Sequence, residues 1–143
     1  LEADALSNRN KSVSRKQQLL YKIVRYFEPK SILTLGATPS EIEIIELGSP
    51  NAIINVDAVI YNCIYFGSNS YLEIPNKTIE QLLQSIENNS CWILGDIHAN
   101  AISEAFWNNL KQNPNVTVTI DTFYFGLVFF RKEQVEEHFI IRA

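Results

Sequence analysis

Asp96 and His98 are the two residues whose type and spacing most invite chemistry, near the end of the run CWILGDIHAN from Cys91 to Asn100. A buried strand that delivers a carboxylate and an imidazole together can supply a metal ligand pair or a proton-transfer pair. They are the candidate catalytic residues. Three further strand ends carry candidates for a bound cofactor: Gly36 with Ala37, Asp57, and Gly67. In an open α/β sheet, ligands bind beyond the carboxyl ends of the strands, and an acid at such an end can accept ribose hydroxyls. Asp57 fits that role, or that of an exposed turn residue. The loop GATPSE after the first strand has one glycine for a tight exit but not the others of G-x-G-x-x-G. Pro39 removes an amide donor and Glu41 repels phosphate, so the loop reads as a well-capped turn rather than a dinucleotide or phosphate cradle. No G-x-S-x-G elbow occurs, and neither Cys63 nor Cys91 has a base beside it in sequence. Both cysteines lie in apolar runs and read as small buried hydrophobes.

The elements that must position these residues can be read from periodicity. Leu19, Leu20, Ile23, Val24 and Phe27 recur at helical spacing between Ser14 and Glu28, and Pro29 ends that helix. SILTLG, Ser31 to Gly36, is a buried strand. Thr38, Pro39 and Glu41 form a capping-box start for a helix that stops near Gly48. Strands follow over Asn51–Asp57 and Val59–Phe66. Asn76 starts a helix whose stripe is Ile79, Leu82, Leu83 and Ile86. After the Cys91 strand, Asn100 caps a helix with Ile102, Ala105, Phe106 and Leu110 inward. Val116–Asp121, Gly126–Arg131 and His138–Arg142 are the last strands. Alternation of strand and helix predicts a mostly parallel sheet, and helix-free connections at the end predict an antiparallel C-terminal pair. The expected fold class is therefore α/β, one three-layer domain over residues 14–143, with residues 1–13 a flexible lead-in.

Composition sets the outer bounds. A chain of 143 residues with 46% apolar and 20% charged side chains suits one globular domain. No apolar run approaches the roughly 20 residues of a membrane span, and LEADALSNRNKS lacks a signal-peptide core, so the expectation is cytoplasmic with no membrane partner. The net charge of −4 divides into +4 over residues 1–30 and −8 over the remainder. Arg15, Lys16, Lys22 and Arg25 read as the solvated face of an amphipathic helix, and nothing accompanies them that would argue for nucleic acid. Phe123, Tyr124 and Phe125 are three consecutive rings between strands, and offer a possible homodimer contact.

Two resemblances bear on GDIH. The pattern strand-Gly-Asp-x-His is similar to the first metal-binding motif of calcineurin-like metallophosphoesterases. Only His138 follows as a further histidine, and the downstream motifs of that family are absent, so no metal is expected. A wider match covers RKQQLLYKIVRYFEPKSILTLG, WILGDIHANAISEAFWNNLKQNP and VTVTIDTFYFGLVFFRKEQVEEHFIIR. Together these resemble a bacterial family of Rossmann-like class I methyltransferases that use S-adenosylmethionine. The resemblance implies a methyltransferase-type Rossmann-like fold, with S-adenosylmethionine bound near Gly36, Ala37, Asp57 and Gly67. This chain departs from the family at the cradle. Thr34 stands where motif I has an acid, and no second glycine follows Gly36. Gly67, Ser68 and Ser70 replace an acid, a glycine and a histidine. Gly95 replaces the first carboxylate of D-D-I-H-W and Ala99 its aromatic. Only 59 positions separate Gly36 from Gly95, so about one strand–helix unit is expected to be missing. These losses predict a non-catalytic binding or assembly module, acting on a small molecule or a protein. An active methyltransferase of unknown substrate is the alternative.

Overall fold

The computed structural model describes residues 13–57, 60–133 and 136–141. Helix α1 spans Arg15–Phe27. Ser14 accepts from the Gln17 amide while the Gln17 side chain accepts from the Ser14 amide, a reciprocal cap that holds the helix start. Strand β1, Ser31–Leu35, leads into α2, Pro39–Gly48, and the capping box read from Thr38 and Glu41 is present in full. The chain continues through β2 (Ile53–Ile54), β3 (Cys63–Phe66), α3 (Ser70–Glu73), α4 (Asn76–Leu83) and β4 (Cys91–Gly95). It ends with α5 (Ala101–Lys111), β5 (Val118–Asp121), β6 (Phe125–Phe129) and β7 (Glu137–Ile140).

The strands form one seven-stranded sheet in the order β2-β1-β3-β4-β6-β5-β7. Strands β1 to β4 are parallel, β6 runs antiparallel to both β4 and β5, and β7 pairs parallel to β5. The α/β class and the antiparallel hairpin agree with the sequence reading. The hairpin is threaded, however, so that β6 lies against β4 and β7 takes the outer edge. Because side chains alternate along a strand, β3 and β4 feed two cores. Cys63, Tyr65, Cys91 and Ile93 meet α1 and α2 on one face. Ile64, Phe66, Trp92 and Leu94 meet α4 and α5 on the other. Uniformly apolar strands are what a sheet covered on both faces requires.

Several boundaries differ from the sequence reading. β2 covers only two residues, because Asn55 turns into the left-handed region at φ 57 and bonds to β1. Asp57 therefore lies three residues beyond the strand and is exposed. The chain reaches β3 from β2 within eight residues, and β3 begins at Cys63 rather than at Val59. Asn76 lies inside α4, which begins after Pro75. In α5 Leu110 is buried and Phe106 packs on the second core as expected, but the other buried residues are Ser103 and Trp107, while Ile102 is 47% exposed and Ala105 is also exposed. The cap at Asn100 rotates the helix this way by drawing in Ser103, whose hydroxyl donates to the Ile97 carbonyl. Of the lead-in expected over residues 1–13, only Val13 is described, and it packs on the first core. Among the described residues no helix is long and apolar enough to cross a membrane.

Candidate functional site

The chain goes from β1 outward to β2 and then returns to β3 on the other side of β1, so the topological switch point lies between β1 and β3. Gly36 and Gly67 leave these strands, and the structure brings them into direct contact. The Gly67 amide donates to the Leu35 carbonyl at 2.8 Å, adding one rung to the β1–β3 ladder. Gly36 then adopts φ 62, open to glycine at no steric cost, and turns its carbonyl across Gly67. A Cβ on Gly67 would lie 2.1 Å from the Gly36 oxygen and 3.0 Å from the Ala37 Cα. A Cβ on Gly36 would meet the Ser70 backbone nitrogen at 2.7 Å. Ser70 is buried and bonds through its amide and hydroxyl to the Gly67 carbonyl, which seats α3 on the crevice. Asp57 does not join this group. Asn55 stands in its place, and its side-chain oxygen accepts from the Thr34 amide at 2.7 Å.

Beyond the ends of β3 and β4 is a polar cluster. Asp96 sits at φ 54, a conformation Asp tolerates better than most residues, with its amide donating to the Tyr124 carbonyl. Its carboxylate is 2.7 Å from the Lys16 ammonium, itself 5.9 Å from the centroid of the Phe125 ring. The Tyr65 hydroxyl donates to Glu41, and the Tyr71 hydroxyl donates to the Gly95 carbonyl. Burial first, and the negative charges of Glu41 and Asp96 second, push both phenols far above their ordinary range. They are neutral donors. A cleft of about 390 Å³ opens here between the first turns of α1 and α2.

His98 points away from that cluster. Its Nε2 is 2.6 Å from Asp121 Oδ2 and its Nδ1 is 3.3 Å from Glu104 Oε2. Its ring stacks on Phe123 with centroids 5.9 Å apart and planes inclined by 21°. Partial burial acts to lower its pKa, but hydrogen bonds to Asp121 and Glu104 and their charges outweigh that and raise it above 6.5. The imidazolium so favoured has both N–H groups held by carboxylates, which makes it a clasp between β4, α5 and β5 rather than a free base. His138 bonds instead to Thr119 and Glu136, so the two histidines share no partner. Among the described residues no group of three or more His, Cys, Asp or Glu side chains is placed to hold a metal ion.

Three solved structures share this fold. An SAH-bound methyltransferase from Podospora anserina superposes with a TM-score of 0.65 at 11% identity, covering 85% of this chain and 81% of that one. A methyltransferase from Geobacter sulfurreducens gives 0.53 at 12% identity, with 92% and 86% covered. A putative O-methyltransferase from Klebsiella pneumoniae gives 0.52 at 11%, with 84% and 82% covered. The fold is that of Rossmann-like methyltransferases. At these identities the likeness concerns the fold alone. No protein-family model matches the chain, and neither does any curated protein sequence.

Within the methyltransferase fold, the sequence reading located the ends of β1, β3 and β4 but not that of β2, nor all of the partners. Lys16, Glu41, Tyr65 and Tyr71 come from four separate segments, and Asp121 and Glu104 reach His98 from two more. Of the three rings Phe123 to Phe125, Phe125 is fully buried within β6 and packs on Tyr65, Tyr124 is half-buried, and Phe123 is exposed. Cys63 and Cys91 face each other in register on β3 and β4. Burial pushes the Cys63 thiol up to about 12, and burial with Cys63 nearby raises Cys91 further from reactivity.

The His98 clasp has a measurable pH signature. A group whose folded pKa is raised stabilises the fold fully below its unfolded value and loses that contribution as pH rises through the folded value. The stability difference between the wild type and His98→Gln, measured by urea denaturation, is therefore expected to be larger at pH 6 than at pH 9. An identical difference at both pH values would show that the ion pairs contribute nothing.

Proposed function

We propose that this protein is a methyltransferase-fold binding or assembly module that no longer transfers methyl groups. The contact of Gly36 with Gly67 carries this reading. A sulfonium donor must be cradled and aligned with its acceptor, because orientation supplies much of the catalysis. Here Gly36 and Gly67 are packed against each other's backbone, and the loops beyond them lack the second glycine and the carboxylates by which the resemblance expects S-adenosylmethionine to be held.

The three positions where the resemblance expects carboxylates support the same reading, since each now serves packing. Thr34 bonds through its amide and hydroxyl to Asn55. Gly67 abuts the Gly36 carbonyl. A Cβ on Gly95 would lie 2.9 Å from the Tyr65 hydroxyl, which is committed to Glu41. The first turn of α2 is equally closed, with the Thr38 amide donating to Glu41 and the Glu41 amide donating to Thr38. Isothermal titration with S-adenosylmethionine and S-adenosylhomocysteine tests the reading. No heat is expected for either ligand, whereas micromolar binding would overturn it in favour of an active methyltransferase.

A further inference from the structure

A second cleft, of about 500 Å³, opens at the far end of the sheet, beyond the carboxyl ends of β4, β5 and β7. Its size suits a small molecule. Its lining combines Arg15 from α1, His98 and Asp121, the Phe123 ring, and the aliphatic side chains of Ile140 and Ile141. The charges can be paired off. His98 matches Asp121 and Glu104, with the carboxylates on both of its nitrogens. Arg15 is exposed, and no ion pair joins it to another described residue, so its guanidinium is the one cation lining the cleft without a carboxylate among the described residues.

The apolar side of the cleft is equally specific. Phe123 holds φ 76, a costly conformation for a bulky residue, and residues kept in such regions cluster at binding sites. Its neighbours enforce it. The Phe123 amide donates to Asp121 Oδ1 at 2.8 Å, and Thr122 and Phe125 exchange bonds across the turn. The result is a rigid ring that rests on His98 on one side and remains 59% exposed. Aliphatic walls at Ile140 and Ile141, 78% and 51% exposed, complete a slot for a flat apolar body.

We propose that this cleft binds a small planar aromatic carboxylate, its ring stacked on Phe123 and its charge against Arg15. Two flat surfaces that stack shed water with little loss of side-chain freedom, and a guanidinium pairs with a carboxylate through two parallel hydrogen bonds. His98 and Asp121 are positioning residues, which hold the turn that presents the ring. The site is separate from the crevice at Gly36 and does not depend on whether that crevice admits a cofactor.

The test is a titration of the isotopically labelled protein with 2-naphthoate and with the neutral 2-naphthamide, followed in amide correlation spectra. Naphthoate is expected to shift the amides of Phe123 and Ile141, and the amide analogue to bind about tenfold more weakly. Arg15→Gln should remove that preference, and Phe123→Ser should weaken both ligands. Equal affinity of the two probes for the wild-type protein, or no shift with naphthoate at millimolar concentration, would overturn the proposal without recourse to any variant. S-adenosylhomocysteine added to the same samples separates the two conclusions. Shifts confined to Gly36 and Gly67 would contradict the non-catalytic reading and leave the naphthoate result standing.

Discussion

Gly67→Asp, which would place a carboxylate at the end of β3, is expected to unfold the protein or to lower its stability by about 3 kcal/mol or more. The position is buried, and the added Cβ would sit 2.1 Å from the Gly36 oxygen and 2.6 Å from its carbonyl carbon. Both are backbone atoms, so no rotamer change relieves the overlap. Gly36 cannot retreat, because the start of α3 at Ser70 packs against its other side and because Gly67 completes the β1–β3 ladder at Leu35. Gly67→Ala should fail nearly as badly, since the Cβ alone makes the collision. The measurement is the urea midpoint of both variants. If Gly67→Ala unfolds within about 0.5 kcal/mol of the wild type, the range of an inconsequential surface change, then the crevice can open and the cofactor question reopens with it.

Trp107→Ala is expected to cost about 3–5 kcal/mol, the range for removing a large buried aromatic side chain. Trp107 is 2% exposed and lies in the second core, between α5 and the sheet. Its indole occupies the space that a side chain on residue 126 would need. A Cβ on Gly126 would fall 2.4 Å from one ring carbon and 2.7 Å from the next. This predicts a strong coupling. Gly126→Val should be severely destabilising in the wild type, yet partly restorative in the Trp107→Ala background, where it fills the vacated volume. Neighbouring sites that share one cavity couple in this way, whereas independent sites add. Additive losses in the double variant would show that the ring does not rest on β6 as described.

Each helix with a local start signal was legible in the sequence. The Thr38–Glu41 box and the Asn100 cap are set within three residues of chain, so their geometry depends on nothing distant. The apolar runs of β1, β3 and β4 were legible for a similar reason, since burial on both faces leaves no alternation to misread. Local signals failed where a distant partner decided the outcome. β2 stops at Ile54 because the Asn55 side chain finds the Thr34 amide, 21 positions earlier in the chain. In α5 the deciding partner is nearer: Ser103 rather than Ala105 turns inward because the Ile97 carbonyl, six positions back, accepts its hydroxyl.

The candidate site divides along the same line. The residues that carry the strand ends, from Gly36 to Asp96 and His98, were identifiable from their types and positions, because a strand followed by a turn is a local event. The partners that hold them lie mostly 23 to 80 positions away in the chain. Asp96 meets Lys16 and becomes half of an ion pair. His98 meets Asp121, at a place fixed only once β6 and β5 have folded back beside β4. Gly36 was read as the tight exit of its strand and Gly67 as a strand break, each a cofactor contact only by resemblance. The tertiary structure packs the two against each other, because two glycines at adjacent strand ends let the backbones approach more closely than any side chain permits.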